Sequence, residues 1–347
     1  MENSIFDYIT ANVLAAYWDE RLAEQNKVPD LSEVLFPASK QVGLDLSFIK
    51  GSKGLPIELN LSAFDARAIK RDRIGFQEVS TSMPFFKNSM SIDEKLRQQL
   101  LTILNSGNTR FIETILRKIF EDQMTLLEGA AAVREKMAMQ LISTGTIAMA
   151  NNGQEYLYNY GLDSSQKPTA TTKWDTTSAD ILGDITTWQD SREDAGYGRP
   201  TRAITSRKVL RNIAKNTNIK NTLYVFANGQ VNLNEQAVRN YIYDQTGVTI
   251  QVYDKSYISA SGTKTRYIPD DLFILLPEGP LGEMVYGTTP EEADLMSSNA
   301  ANVAIVDTGV AITTSEEVDP VNVTTKVSQI VMPSFEAADE IVIADVL

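Results

Sequence analysis

The sequence predicts an α+β protein: an amino-terminal arm, a projecting two-stranded ribbon, one very long helix, a second α+β module and closing carboxy-terminal strands. Three observations carry that prediction. Residues 44 to 61 alternate at strand period around the turn Gly51-Ser52-Lys53-Gly54. From Thr109 to Ser143 the apolar residues keep to steps of three or four. Beyond residue 161 short helical and strand periods alternate as far as Leu276, the pattern of helices covering a mixed sheet. A chain of 347 residues has room for two such modules.

Composition narrows the chemistry. Hydrophobic residues make up 43% and charged residues 22%, enough apolar material for a sizeable core. There is no His and no Cys, so no Ser-His-Asp triad, thiolate nucleophile, disulfide or Cys/His zinc site can form. Lys and Arg number 32 against 45 Asp and Glu, a net charge of −13, which argues against a duplex-binding protein with a generally basic surface. Glu2 and Asp7 stand where an export signal would be positive, and no apolar run reaches 18 residues, so neither export nor a membrane span is expected.

Taken in order, Phe6, Ile9, Val13 and Tyr17, with Leu14, recur at helical spacing and predict a short amphipathic helix that ends near Pro29. Leu31 to Pro37 form a Pro-ended apolar patch. Leu44, Leu46 and Phe48, then Ile57, Leu59 and Leu61, make the two strands of the ribbon. The following segment gathers Arg67, Lys70, Arg71 and Arg73 before a strand-like stretch from Phe76 to Met83. Ser91 and Glu94 have capping-box spacing and predict a helix start, with Leu96, Leu100 and Ile103 as its stripe.

The rod from 109 to 143 would be about 50 Å long, longer than an enzyme of this size needs. Its stripe is Ile112, Ile115, Leu116, Ile119, Leu126, Ala130, Val133, Met137 and Leu141. Glu121, Asp122, Glu128 and Glu135 are expected on the polar face with Arg117, Lys118, Arg134 and Lys136. Gln123 and Gly129 break the heptads that a coiled coil would need. Asn151-Asn152-Gly153 then joins two strands as a hairpin, in which Gly takes the positive φ. In the second module Ser206 is placed to cap a helix carrying Val209, Leu210 and Ile213. Strands are expected at Ala203-Ile204, 248–253, 272–276, 330–332 and 341–343.

The search for chemistry is mostly negative. Gly51-Ser52-Lys53-Gly54 lacks the phosphate-loop frame, and Gly196-Tyr197-Gly198 runs into Pro200 and a strand. The acidic runs at Asp163 and at 190–194 lack the oxygens and central Gly of a calcium loop. A carboxylate-pair hydrolase is the rival from another class, but its two acids would have to meet in a cleft the sequence does not reveal. A surface-layer or adhesion protein is a third reading, weakened by the missing export signal. Tyr156, Tyr158 and Tyr160 alternate on one strand, a pattern expected of core or interface and also usable for stacking on bases or sugars. An arm, a ribbon and a rod enclose no pocket. They are parts for touching neighbours, and a projecting ribbon left alone would be an aggregation hazard.

The order of these parts resembles the major capsid proteins of tailed bacteriophages, specifically the lambda-type capsid protein E family with the HK97-like fold. The resemblance rests on LFPASKQVGLDLSFIKG (35–51), SAFDARA (62–68), MPFFKNSMSIDEKLRQQL (83–100), the long helix, RYIPDDLFILLPEG (266–279) and MPSFEAADEIVIADVL at the end. It implies an amino-terminal arm over 1–40, an extended loop over 41–88, a peripheral domain over 89–160 with a spine helix at 109–143, an axial domain over 161–314, and strands over 315–347 that return to the peripheral domain. It implies a structural, non-enzymatic protein with no cofactor, assembling in the bacterial cytoplasm into a virion shell of hexamers and pentamers around double-stranded DNA. Scaffolding and portal proteins are the partners it implies, with a cementing protein as a further one. An encapsulin-like compartment of the same fold is the alternative.

Within that picture Lys50, Lys53, Arg67, Lys70, Arg71 and Arg73 of the ribbon are expected to pair with Glu121, Asp122 and Glu128 on a neighbouring copy. The acidic balance further suggests a shell wall along which the duplex slides, with few fixed cations to grip phosphate.

Overall fold

The computed structural model describes residues 9–24, 29–50, 77–92, 94, 98, 102, 109–151, 154–223, 233–259, 261–295, 301–318 and 321–347. They form two units. The first comprises residues 1–46, 80–137 and 283–334, the second 47–79, 138–282 and 335–347.

The first unit is organised by its longest strand. Val321–Pro333 (β15) is rich in Val, Ile and Thr, whose branched side chains suit a pleated surface. Along one edge it pairs with Val310–Val318 (β14), which in turn pairs with Asn302–Val306 (β13). Along the other edge lie Phe85–Ile92 (β4) and then Met284–Tyr286 (β12), and the short strand Ala38–Lys40 (β1) closes the sheet parallel to β12. Ser91 therefore sits inside β4, where its hydroxyl meets Thr324 of β15 at 2.8 Å. This corrects the expectation that it caps a helix: a cross-strand partner has taken the hydroxyl. Glu94, Gln98 and Thr102 are nevertheless helical.

Helix α1 (Ala11–Glu24) lies against β13 and β14, and its Ala11 N–H donates to Thr314 Oγ1 at 3.1 Å. Its buried stripe is Ile9, Ala11, Leu14 and Trp18, whereas Val13 points outward, so the apolar face is rotated from the one the sequence suggested. The patch at Leu31–Leu35 is a single helical turn (α2), with Leu31, Leu35 and Phe36 buried.

The rod is present as α3, Thr109–Thr144, of 36 residues; residues up to Met137 belong to the first unit and Ala138–Thr144 to the second. Ile119, Ala130, Met137 and Leu141 are buried as expected, joined by Met124 and Leu127 in place of the half-buried Leu126. Two charges expected on its polar face are buried instead. Glu135 accepts the Ser32 N–H at 2.8 Å, satisfying an amide at the start of α2 that Asp30 leaves uncapped. Arg134 reaches Gln329 Oε1 at 3.2 Å and Asp307 at 3.0 Å and lies over the Tyr286 ring, while Gln329 donates to the Ala130 carbonyl at 3.0 Å. A charge inside the fold is tolerated where it is paired and hydrogen-bonded, as Arg134 is to Asp307 and Gln329. No spacing rule exposes that from sequence, since Ser32, Asp307 and Gln329 lie 103, 173 and 195 residues from their partners on α3.

The second unit holds a four-stranded mixed sheet in the order Val342–Asp345 (β16), Leu272–Leu276 (β11), Arg202–Thr205 (β7), Thr249–Val252 (β8). Only the β7–β8 pair is parallel. Helices α4 (Ile181–Asp194), α5 (Arg207–Lys215), α6 (Thr217–Leu223) and α7 (Glu235–Thr246) contribute to one core around Trp174, Trp188 and Phe273. Local chemistry agrees with the tertiary structure. Ser206 Oγ accepts the Val209 N–H at 3.2 Å and donates to the Asp270 carbonyl, so the expected cap also ties α5 to the segment leading into β11. Asn234 caps α7, and Gly247 ends it at φ 71°, a left-handed position suited to glycine.

The unit boundaries differ from the expected ones. Residues 335–347 do not stay with the strands at 283–334: β16 pairs with β11, and Val342, Ala344 and Val346 enter the Trp174 core. Conversely, 283–314 falls in the first unit, because β12, β13 and β14 belong to the β15 sheet. The hairpin Thr146–Asn151 (β5) and Gln154–Asn159 (β6) is grouped with the second unit. Burial within a shared sheet decides these assignments, and sequence order does not announce it.

Candidate assembly surfaces

Three pairs of strands stand apart from the two large sheets: β5–β6, the ribbon Asp45–Lys50 (β2) with Gln77–Ser82 (β3), and Ser256–Ile258 (β9) with Lys264–Arg266 (β10). Among the described residues the outer edges of each pair have no strand partner. A two-stranded ribbon is marginal by itself in water and presents unpaired amides and carbonyls along both flanks. Large apolar side chains are exposed on or beside these ribbons: Leu157 on β6 and Ile258 on β9, each 75% accessible, with Leu44 and Val42 before β2 at 55% and 96%. At its other end the hairpin is anchored. Tyr160 is buried, edge-on to Tyr158 at 4.8 Å and to Phe335 at 5.9 Å, and burial drives its phenol far above the ordinary range. The tyrosine row thus serves packing at its buried end.

The predicted charged residues divide into two groups. Lys53, Arg67, Lys70, Arg71 and Arg73 lie outside the described residues, as does the expected second ribbon strand at 57–61; Lys50 ends β2, which pairs with β3. Glu121, Asp122 and Glu128 are all exposed on α3, and Glu121 and Glu128, seven residues apart, share one face. Glu128 is already engaged within the chain: Arg21 of α1 donates to its Oε1 at 2.8 Å. Beside that pair Tyr17 packs on Phe120 at 5.5 Å. Arg21 is not among the residues that motif or spacing marks out. Its place in the last turn of α1, where cations suit the helix dipole, was the available signal.

The acidic runs at Asp163 and at 190–194 are engaged within the chain. Arg199 bonds Asp190 at 2.6 Å and Glu193 at 2.9 Å, and Asp163 caps a turn by accepting the Ser165 N–H, which holds its carboxyl below the usual range. Among the described residues no cluster of three potential ligands occurs, and no helix is long and apolar enough to cross a membrane.

A helix of 36 residues, two large sheets and separate strand pairs are the parts of an HK97-like capsid fold. Structural similarity bears this out. A prophage protein of E. coli CFT073 described as a capsid protein aligns with TM-score 0.60 at 15% identity, over 98% of this chain and 99% of that one. A phage-related protein of Bordetella bronchiseptica RB50 aligns at TM-score 0.51 and 11% identity, covering 97% of each chain. The capsid of cyanophage A-1(L) gives 0.50 at 12%, over 92% and 93%. The chain belongs to the phage major capsid protein E family, whose model matches residues 10–346. It is a structural shell protein of a virion, and the match favours neither the compartment-shell nor the hydrolase alternative. No curated protein matches.

Proposed function

We propose that copies of this chain close into an icosahedral head of hexamers and pentamers around double-stranded DNA, assembling in the host cytoplasm on scaffolding and portal proteins, and that the protein catalyses nothing. A cementing protein over the exterior fits the same scheme. The observation that carries the reading is the set of ribbons with open edges and exposed Leu44, Leu157 and Ile258 in a chain of the capsid family. Such edges are satisfied when another copy covers them. In a closed lattice many modest contacts then add up.

The ribbon segment acts as the extended loop lying on a neighbour. Burial of its apolar residues supplies most of the affinity, and Lys50, Lys53, Arg67, Lys70, Arg71 and Arg73 set register against Glu121 and Asp122, with Glu128 shared with Arg21. Exposed pairs are worth about 0–1 kcal/mol each, so their role is to choose the register. Arg71→Glu should yield aberrant or fewer particles by electron microscopy, and wild-type assembly should fall off near about 1 M salt, where the screening length is about 3 Å. Normal particles in both experiments remove the electrostatic part of this proposal.

A further inference from the structure

Residues 195–234 contain no Asp or Glu, in a chain that has 45, yet they carry seven Lys and Arg. Three of these are engaged inside their own unit. Arg199 holds Asp190 and Glu193, Arg202 bonds the Pro277 and Gly279 carbonyls, and Arg207 stands 3.9 Å from Glu235 and 3.7 Å from Asp254. The other four are Lys208, Arg211 and Lys215 of α5 and Lys220 of α6, and among the described residues they form no ion pair. The opposite faces of these helices, Val209, Leu210, Ile213 and Ile219, are fully buried in the Trp174 core. That burial fixes the cations outward: Lys208, Arg211 and Lys215 are exposed at steps of three and four, and Lys220 is half-exposed.

Helix stability accounts for part of this arrangement: Lys215 and Lys220 stand in the last turns of α5 and α6, where a cation suits the dipole, and the Arg207 N–H at the start of α5 donates to Asp254. It does not account for Lys208 in the first turn of α5, the positive end of the dipole, or for Arg211 between the ends. Among the described residues of α5 and α6 the other exposed side chains include Thr217, Asn218, Asn221 and Thr222, with Leu223 the one large apolar side chain, at 36% exposure. Protein-binding surfaces centre on aromatic and Met anchors and are depleted in Lys. Cations, amides and hydroxyls without an apolar anchor are instead the donors that hold phosphate oxygens.

We propose that the α5–α6 face is a sequence-independent contact for the phosphate backbone of the enclosed duplex. This rests on the reading that the shell encloses double-stranded DNA. It revises the expectation of a wall without footholds: the acidic chain carries one local cationic stripe. From Lys208 to Lys215 the helix rises about 10 Å, which spans about three phosphates of one strand.

The test uses the full-length unassembled chain and a short fluorescent duplex, with affinity read by anisotropy between about 50 and 200 mM salt. The logarithm of the wild-type binding constant should fall against log salt with a slope near −3.6, about 0.9 for each of four contacts. Lys215→Gln alone should reduce the slope by about 0.9, and Lys208→Gln, Arg211→Gln, Lys215→Gln and Lys220→Gln together should abolish measurable binding. Near-UV circular dichroism of each variant confirms that the core beneath is intact. Failure of the wild type to bind at about 50 mM salt, or an unchanged slope in the quadruple variant, overturns the proposal. Loss of closed particles with duplex binding retained also overturns it, because the face would then be a contact between copies. Whether the wild type forms shells at all is read separately by microscopy, so failure of the shell reading is distinguishable from failure of this one.

Discussion

Trp174→Ala destabilises the second unit by about 3–5 kcal/mol, the usual cost of emptying a large aromatic site, and abolishes particle formation. Trp174 is 1% exposed, stacks on Trp188 with ring centres 5.7 Å apart, and tilts against Phe273 at 5.0 Å. Its indole N–H donates to Asp184 Oδ2 at 2.9 Å, so alanine opens a cavity and also strips a buried carboxylate of a donor. The Trp174 N–H bonds the Val346 carbonyl, which links this core to the final strand. Trp174→Phe separates the two effects: it keeps ring packing and loses the hydrogen bond, for about 1–3 kcal/mol. Urea unfolding followed by tryptophan fluorescence and circular dichroism measures both variants. An alanine variant as stable as wild type would show that this core does not hold the unit together.

Lys326→Met should cost the first unit about 3 kcal/mol at neutral pH, the lower end for breaking a buried ion pair because the Lys326 side chain is 30% exposed. Its partner Glu291 sits on the short turn Glu291–Leu295, 5% exposed, with Lys326 Nζ at 2.7 Å and Ser328 Oγ at 2.9 Å. Burial pushes the Glu291 carboxyl up, but Lys326, the residue's own backbone and Ser328 outweigh it and hold it below the ordinary 4.5. A carboxyl depressed in the folded state contributes stability that is complete above its unfolded value and is lost as pH falls through the folded one. The gap between wild type and Lys326→Met therefore narrows as pH drops below about 4.5, and thermal melts at a series of pH values follow it. Glu291→Gln combined with Lys326→Met should recover most of the loss, since an orphaned charge costs more than a missing pair. A pH-independent gap would mean that the lysine acts through packing alone.

How much of this was legible beforehand depends on the range of the interaction. The long helix, the hairpin at Asn151, the Ser206 cap and the strands at 272–276 and 342–345 follow from residues within one or two turns of each other. Ser91, Arg134 and Glu135 depart from their expected roles for the converse reason. Each has the local look of a cap or a solvated charge, and each is claimed by a strand or helix remote in sequence. The split of 335–347 from 315–334 likewise follows from the pairing of β16 with β11, a contact about 70 residues long in sequence that no periodicity encodes. As for the assembly surface, the need for it was readable from exposed strand alternation and the absence of catalytic residue types. The particular contacts were not, because their partners belong to other copies of the chain. Even the acidic face of α3 proved partly committed to the arm through Arg21.

Electron microscopy of the purified full-length chain, concentrated without added enzyme substrate or cofactor, tests the central claim most directly. Closed particles of uniform diameter are the result expected of a protein whose open ribbon edges are completed by its own copies. A monodisperse monomer that stays particle-free at millimolar concentration, with or without a co-expressed scaffolding protein, would contradict it.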